Sequence, residues 1–131
     1  RDHGLPDFNT CRENDHFQLP RIHDWHDLTG DDVTAARLAK AYGAIDALDV
    51  WVGALAERPT EGRRVGALLH ATLVDQFTRL RDGDAYWYQC DSHLTEDRED
   101  IHATRLSDVL RRHTGELDGM PYVIPTDVFH V

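Results

Sequence analysis

Hydrophobic residues recur at helical intervals over most of the chain, and their spacing predicts a mostly α protein. The clearest stretch is Arg63–Leu80. Val65, Leu69, Leu73, Phe77 and Leu80 fall at i, i+4, i+8, i+12 and i+15, a stripe along one face, while Arg64, Asp75, Thr78 and Arg79 lie off it. This is the pattern of a core helix, broken by Asp82-Gly83-Asp84. A second helix is expected over Val33–Tyr42, with Ala35, Leu38 and Tyr42 inward, Thr29 and Asp32 resembling a capping box ahead of it, and Gly43 as its stop. Asp46–Leu55 reads as a short helix or helical turn, and Pro59–Gly62 as a loop. The first thirty residues read as irregular, punctuated by Gly4, Pro6, Asn9, Asn14, Pro20 and Gly30, with one short helix near Asp7–Asn14. Tyr86-Trp87-Tyr88 reads as a buried anchor. Thr95 would cap a last helix over Glu96–His113, with Ala103, Leu106, Val109 and Leu110 inward and Gly115 and Gly119 ending it. Tyr122–Ile124 and Val128–Val131 form a short β-prone tail around Pro125, too little for a sheet.

Length and charge narrow the function classes. The chain has 131 residues, enough for one domain or a piece of one, and can bury roughly 65–70% of its unfolded surface. Lys+Arg is 14 against Asp+Glu 24, a net charge of −10. Such a surface repels phosphate backbones and argues against nucleic-acid binding. With 40% hydrophobic residues the composition is not that of a disordered chain. The longest apolar run without Asp, Glu, Lys or Arg, Val65–Val74, is about half the roughly 20 residues of a membrane span. Cys11 and Cys90 permit one disulfide; neither has a second cysteine at metal-ligand spacing, and both are read as free, partly buried thiols. No signal peptide is visible, and a chain that opens without Met, inside a motif, reads as a segment of something longer.

Several catalytic signatures are missing. There is no G-x-S-x-G, P-loop, G-x-G-x-x-G or H-E-x-x-H, and the only serines, Ser92 and Ser107, sit in ordinary contexts. Asp82 and Asp84 open like an EF-hand loop, which then needs an acid or amide where Tyr86 stands and Gly where Trp87 stands. Nine histidines raise the question of metal or haem ligation. His23 and His26, at i, i+3 among Asp24 and Asp27, either assemble a surface metal site or belong to a polar turn carrying Trp25 into the core. His70, beside the apolar stripe, reads as a ligand or as a core histidine bonded to a carbonyl. His102 and His113 lie on the inward side of the last helix, His113 near its C-terminus, where positive charge is favoured. His3 and His130 carry no local signal. From spacing alone no catalytic, cofactor-binding or metal residue is assigned.

The order of longer motifs adds more. Arg1-Asp2-His3-Gly4-Leu5-Pro6-Asp7-Phe8-Asn9, then Tyr42-Gly43 with Ile45-Asp46-Ala47-Leu48-Asp49-Val50-Trp51-Val52-Gly53, then Gln76-Phe77 with Leu80-Arg81-Asp82-Gly83-Asp84-Ala85-Tyr86-Trp87-Tyr88, follow one another in a fixed sequence. They resemble R-D-H-G-L-P-x-[YF]-N, Y-G-x-x-x-x-I-D-[LI]-[WF] and Q-F-x-x-L-R-D-G-D-x-[FY]-W-[YF] of the animal-type haem peroxidases, the peroxidase–cyclooxygenase superfamily. Leu106–Gly115 and Asp127-Val128-Phe129 resemble that family's last helix and closing strand. Cys11 and His113 depart from the residues common there, and Glu116–Thr126 is longer than usual.

The resemblance implies a mostly helical enzyme of which 1–131 is the C-terminal segment of a single haem peroxidase domain. Its cofactor would be haem b, with calcium in the parent protein, and its reaction hydrogen-peroxide-dependent oxidation of a small electron donor. In that family the iron ligands, the distal residues and the calcium loop lie upstream of R-D-H-G, and His3 is not the iron ligand. The segment would then be scaffold, inactive alone, with Arg1 and Asp2 as ion-pair partners and the long helix packing against elements of the N-terminal remainder. Two alternatives stand beside this. One is a fatty-acid dioxygenase of the same superfamily, since Tyr42-Gly43-Ala44-Ile45-Asp46-Ala47-Leu48 also resembles the cyclooxygenase stretch. The other is a non-enzymatic helical interaction or metal-binding module using His23 and His26 or the acidic surface.

Overall fold

The computed structural model describes residues 4–114. The chain divides into two compact units, 1–81 and 82–131. The described residues are mostly helical and form no strand; the one β contact is an isolated antiparallel bridge between Asp7 and Asp49. The β-prone tail, His3 and His130 lie outside the described residues.

In the first unit, α1 (Phe8–Glu13) begins where the Asp7 carboxylate accepts the Thr10 amide at 2.9 Å. The expected irregular stretch after it contains a further helix, α2 (Trp25–Thr29), capped by Asp24 accepting from Asp27 and closed by Gly30. α3 (Asp32–Tyr42) follows and ends at Gly43 as expected. Its cap differs from the expectation: Asp31, not Thr29, accepts the Thr34 amide at 2.8 Å, and the Thr34 hydroxyl, then that amide, hold the Asp31 carboxyl below its ordinary range. Thr29 instead terminates α2, its hydroxyl bonded to the carbonyls of Trp25 and Asp31.

The segment read as one helix over Asp46–Leu55 is two pieces, a 3-10 turn at Ile45–Ala47 and α4 (Val50–Ala56). Between them Leu48 is extended and its carbonyl accepts the Phe8 amide at 2.9 Å, a use incompatible with continuous helix. α1 packs against α4, and α2 against α3 and α4, around Phe8, Leu28, Leu48, Ala54 and Leu68. Gly53 permits the closest approach: a Cβ there would penetrate the Phe8 ring.

α5 runs Ala67–Gly83, starting and ending later than expected. Its buried residue is Leu68, which lies off the stripe read from the sequence. Of that stripe Val65 and Leu69 are half-buried, while Leu73, Phe77 (64% exposed) and Leu80 (57% exposed) face outward with Val74. Asp75, expected to face solvent, instead meets Nε2 of His16 at 3.3 Å. The helix therefore directs Leu68, Leu69 and Asp75 to its own unit and leaves the apolar residues of its later turns, Leu73, Val74, Phe77 and Leu80, outward.

In the second unit, a 3-10 turn at Ser92–Leu94 precedes α6 (Arg98–Ala103) and α7 (Leu106–Thr114). The single last helix expected over Glu96–His113 is thus split at Thr104-Arg105. The Thr104 amide still bonds back to Asp100 and Ile101, but its residue is already extended. The Asp108 carboxylate caps α7 by accepting the Arg105 amide at 2.9 Å. Ala103, Leu106, Val109 and Leu110, expected inward, are exposed, and Ser107 is the buried residue of α7. The aromatic run is not a buried anchor either: Tyr86 is 82% exposed, and only Trp87 and Tyr88 are half-buried.

Candidate functional site

Two polar clusters, each built on a buried side chain, organise the first unit, and the first draws on Asn9 and Asp46 of the sequence motifs. Asn9 is fully buried on α1. Its amide nitrogen donates to the Ile22 carbonyl at 2.9 Å and to Oδ1 of Asp46 at 3.0 Å, while its oxygen accepts the Ile22 amide at 3.0 Å. One side chain thereby satisfies both backbone groups of Ile22, which lies in no helix or strand. Asp46 also pairs with Arg21 at 2.5 Å.

The Asn9 amide, then the Arg21 guanidinium, hold the Asp46 carboxyl below its ordinary value of 3.8. A depressed folded-state value contributes stability that is full above the unfolded pKa and lost as pH falls through the folded one. The chain is therefore expected to lose stability on acidification as the pH falls below about 4. Asp46→Asn should flatten that slope in urea titrations at stepped pH; an unchanged slope would remove Asp46 from the acid response.

The second cluster ties α1, the end of α4 and the start of α5. Arg12 and Glu57 form a buried ion pair through Nη1 and Oε1. Arg12 Nε donates to the Pro20 carbonyl at 2.9 Å, and its guanidinium lies 5.4 Å from the Phe8 ring centroid. The other Glu57 oxygen accepts the Leu68 amide at 2.9 Å, satisfying an otherwise orphaned donor in the first turn of α5. Gly66 leaves room for that carboxylate; a Cβ there would stand 2.5 Å from Glu57 Cβ and Cγ. Sequence reasoning missed this cluster. Its pair is separated by 45 positions, so no local pattern marks it. A cleft of about 660 Å³ opens beside it, with walls that include Arg12, Ile22, Asp27, Glu57, Arg58 and Glu61.

The histidines singled out in the sequence do not converge. Nδ1 of His26 lies 2.8 Å from Oδ1 of Asp32 on the surface, and His23 has its electrostatic neighbour in Asp46. No group of three or more His, Cys, Asp or Glu placed to hold a metal occurs among the described residues. His70 is half-buried; its Nδ1 meets Nη1 of Arg63 at 3.2 Å, not the carbonyl expected of a core histidine. His102 and His113 are exposed rather than inward, and His113 lies in the last turn of α7 with Arg111 and Arg112. Burial, and then the Asp7 charge, push the Cys11 thiol up, which disfavours the nucleophilic thiolate. Both cysteines are free, and Cys90 is exposed, not partly buried. Among the described residues no helix is long and apolar enough to cross a membrane.

Comparison with known proteins places these features in context. The family model described as animal haem peroxidase matches residues 1–129. Peroxinectin A of Dictyostelium discoideum is 35% identical over 117 residues, which cover 89% of this chain and 22% of that protein. Human lactoperoxidase is 35% identical over 101 residues, covering 76% of this chain and 14% of its own. Among solved structures, peroxidase A from Dictyostelium discoideum superposes with a TM-score of 0.68 at 34% identity, over 85% of this chain and 21% of that one. The Oryza sativa fatty acid alpha-dioxygenase Y379F, solved with palmitic acid, superposes with a TM-score of 0.69 at 24% identity, over 86% and 19%. That likeness concerns the fold. The chain spans about a fifth or less of the relatives it matches.

Proposed function

This chain belongs to the animal haem peroxidase family, and on that premise we propose that it is the C-terminal part of a peroxidase domain using hydrogen peroxide to oxidise small donors. Within that domain 1–131 is scaffold, and the residues that hold haem b, move protons or bind calcium stand outside it. The observation that carries the reading is how the motif residues are engaged. Phe8 and Asn9 are fully buried, Asp46 accepts from Asn9 and Arg21, and Gly53 sits against Phe8. Each is occupied in holding the helices together, which leaves none of them to act on a substrate. The outward apolar side of α5 supports the same reading, since a face of this kind calls for cover from further chain.

The described residues do not fit haem. The cleft beside Arg12 and Glu57 has no imidazole in its wall, and its charged groups are three carboxylates, Asp27, Glu57 and Glu61, with Arg58 and the already paired Arg12. Such a wall offers haem iron no axial nitrogen. His16, His26, His70, His93 and His102 each already face a charged or polar partner. What these residues do is mechanical: Glu57 anchors the start of α5, and Asn9 fixes the strandless segment at Ile22. The peroxidase branch is favoured over the dioxygenase branch because peroxinectin A, lactoperoxidase and Drosophila peroxidasin match at 35–40% identity.

Two measurements test the reading together. Titrated with haemin, the chain alone should give no one-to-one Soret complex and no peroxide-dependent guaiacol oxidation. Joined to the preceding part of Dictyostelium peroxinectin A in place of that protein's own matching segment, it should restore both. Stoichiometric haem with turnover in the chain alone, or a folded chimera that stays haem-free, would overturn it.

A further inference from the structure

The second unit brings a phenol, Tyr88 at the end of the third motif, together with an imidazole that belongs to none of them. The hydroxyl of Tyr88 lies 3.0 Å from Nδ1 of His102 on α6, with 14 positions between them in sequence. Both line an open cleft of about 290 Å³ with Arg98 and Glu99. Tyr88 is half-buried and His102 exposed. Beside them the Trp87 and Tyr88 rings stand 4.9 Å apart between centroids, and Trp87 Nε1 donates to Gln89 at 3.1 Å.

We propose that Tyr88 and His102 form a proton-coupled oxidation site, at which a diffusible one-electron oxidant converts Tyr88 to a phenoxyl radical that then couples with a second phenol radical. The inference rests on the peroxidase reading only for its natural source of oxidant, namely organic radicals released by donor oxidation.

A phenol that loses an electron becomes a strong acid, so oxidation is easiest where a base already holds the proton. Neutral imidazole carrying its hydrogen on Nε2 offers Nδ1 as that base. The other described tyrosines are worse placed. Tyr42 donates to the Asp49 carboxylate at 3.1 Å, a weaker base than imidazole, and packs against the core. Tyr86 is 82% exposed to water. In the oxidation step one electron passes from Tyr88 to the oxidant as its proton passes to Nδ1 of His102. The oxidant is reduced by one electron, and the imidazolium releases the proton to solvent. A second equivalent of the same oxidant takes one electron from the partner phenol, whose proton passes to water, and the two phenoxyl radicals form a carbon–carbon bond ortho to each oxygen. The coupled product regains aromaticity by tautomerisation, so no further oxidant is needed.

The test uses the 131-residue chain and photogenerated ruthenium(III) tris-bipyridine as oxidant, with N-acetyltyrosinamide present as radical trap. No haem takes part, so this proposal and the peroxidase reading fail separately. Peptide mapping should place most of the trapped adduct on Tyr88, and Tyr88→Phe should abolish it there. His102→Ala should slow phenoxyl formation at least about tenfold, short of the 10²–10⁴ typical of a positioned proton acceptor because water competes. Free imidazole in the buffer should restore the rate. His102 is exposed, and circular dichroism of the variant checks that its helix persists. Adduct chiefly on Trp87, Tyr86 or another tyrosine would overturn the proposal. So would a Tyr88 rate indifferent to His102→Ala, or a loss that imidazole does not restore.

Discussion

Glu57→Ala is expected to cost about 3–5 kcal/mol, the range for removing one partner of a buried ion pair. That approaches the whole stability of many domains of this size. The substitution strands the Arg12 guanidinium, whose side chain is 3% exposed, without its counter-charge. It also removes the acceptor of the Leu68 amide, so the first turn of α5 loses its anchor. Urea unfolding followed by circular dichroism should show the midpoint collapsing. Exchanging both partners for apolar residues, Arg12→Met with Glu57→Met, should cost less than Glu57→Ala alone, because the uncompensated charge is gone. A loss below about 1 kcal/mol for Glu57→Ala would mean that the pair is solvated in solution.

The second large effect centres on Phe8. Truncation to alanine should cost about 3–5 kcal/mol, because the ring is fully buried at the meeting of α1 and α4. Gly53→Ala attacks the same contact from the other side and should cost about 1–3 kcal/mol by overpacking. The two sites are in contact, so their effects should not add. Phe8→Leu combined with Gly53→Ala should be less damaging than the sum of the single changes, as read from a double-mutant cycle in urea. Strict additivity would show that the ring and the glycine do not share their space.

Much of the architecture was legible in local pattern. The stop of α3 at Gly43, the short helix after Asp7 and the existence of the long helix all follow from caps, breakers and period. α2 escaped because five residues are too few to show periodicity, although Asp24 ahead of Trp25 and Gly30 behind Thr29 bracket it with proper caps. The inward side of α5 was misassigned for a different reason. Periodicity identifies an apolar stripe but not what covers it, and here Leu68 and Asp75 are the residues that meet the rest of the unit. The same limit applies to Leu106, Val109 and Leu110 on α7, apolar at helical spacing yet exposed. Long-range polar pairs such as Arg12 with Glu57 and Tyr88 with His102 leave no local trace, because each partner is ordinary within its own segment. The motifs were readable as a family signature, whereas the work of their residues became visible only in the hydrogen bonds of Asn9 and the burial of Phe8.

The outward row on α5 also governs how this polypeptide behaves in a test tube. Val74, Phe77 and Leu80 form a greasy ridge on a strongly anionic particle, so colloidal behaviour turns on the balance between stickiness and mutual repulsion. Low ionic strength keeps the like-charged particles apart; added salt screens that repulsion within about a nanometre and lets the ridges find each other. Purification in dilute buffer with a mild non-ionic detergent is therefore the natural regime, and salting should bring on clumping well before the helices melt.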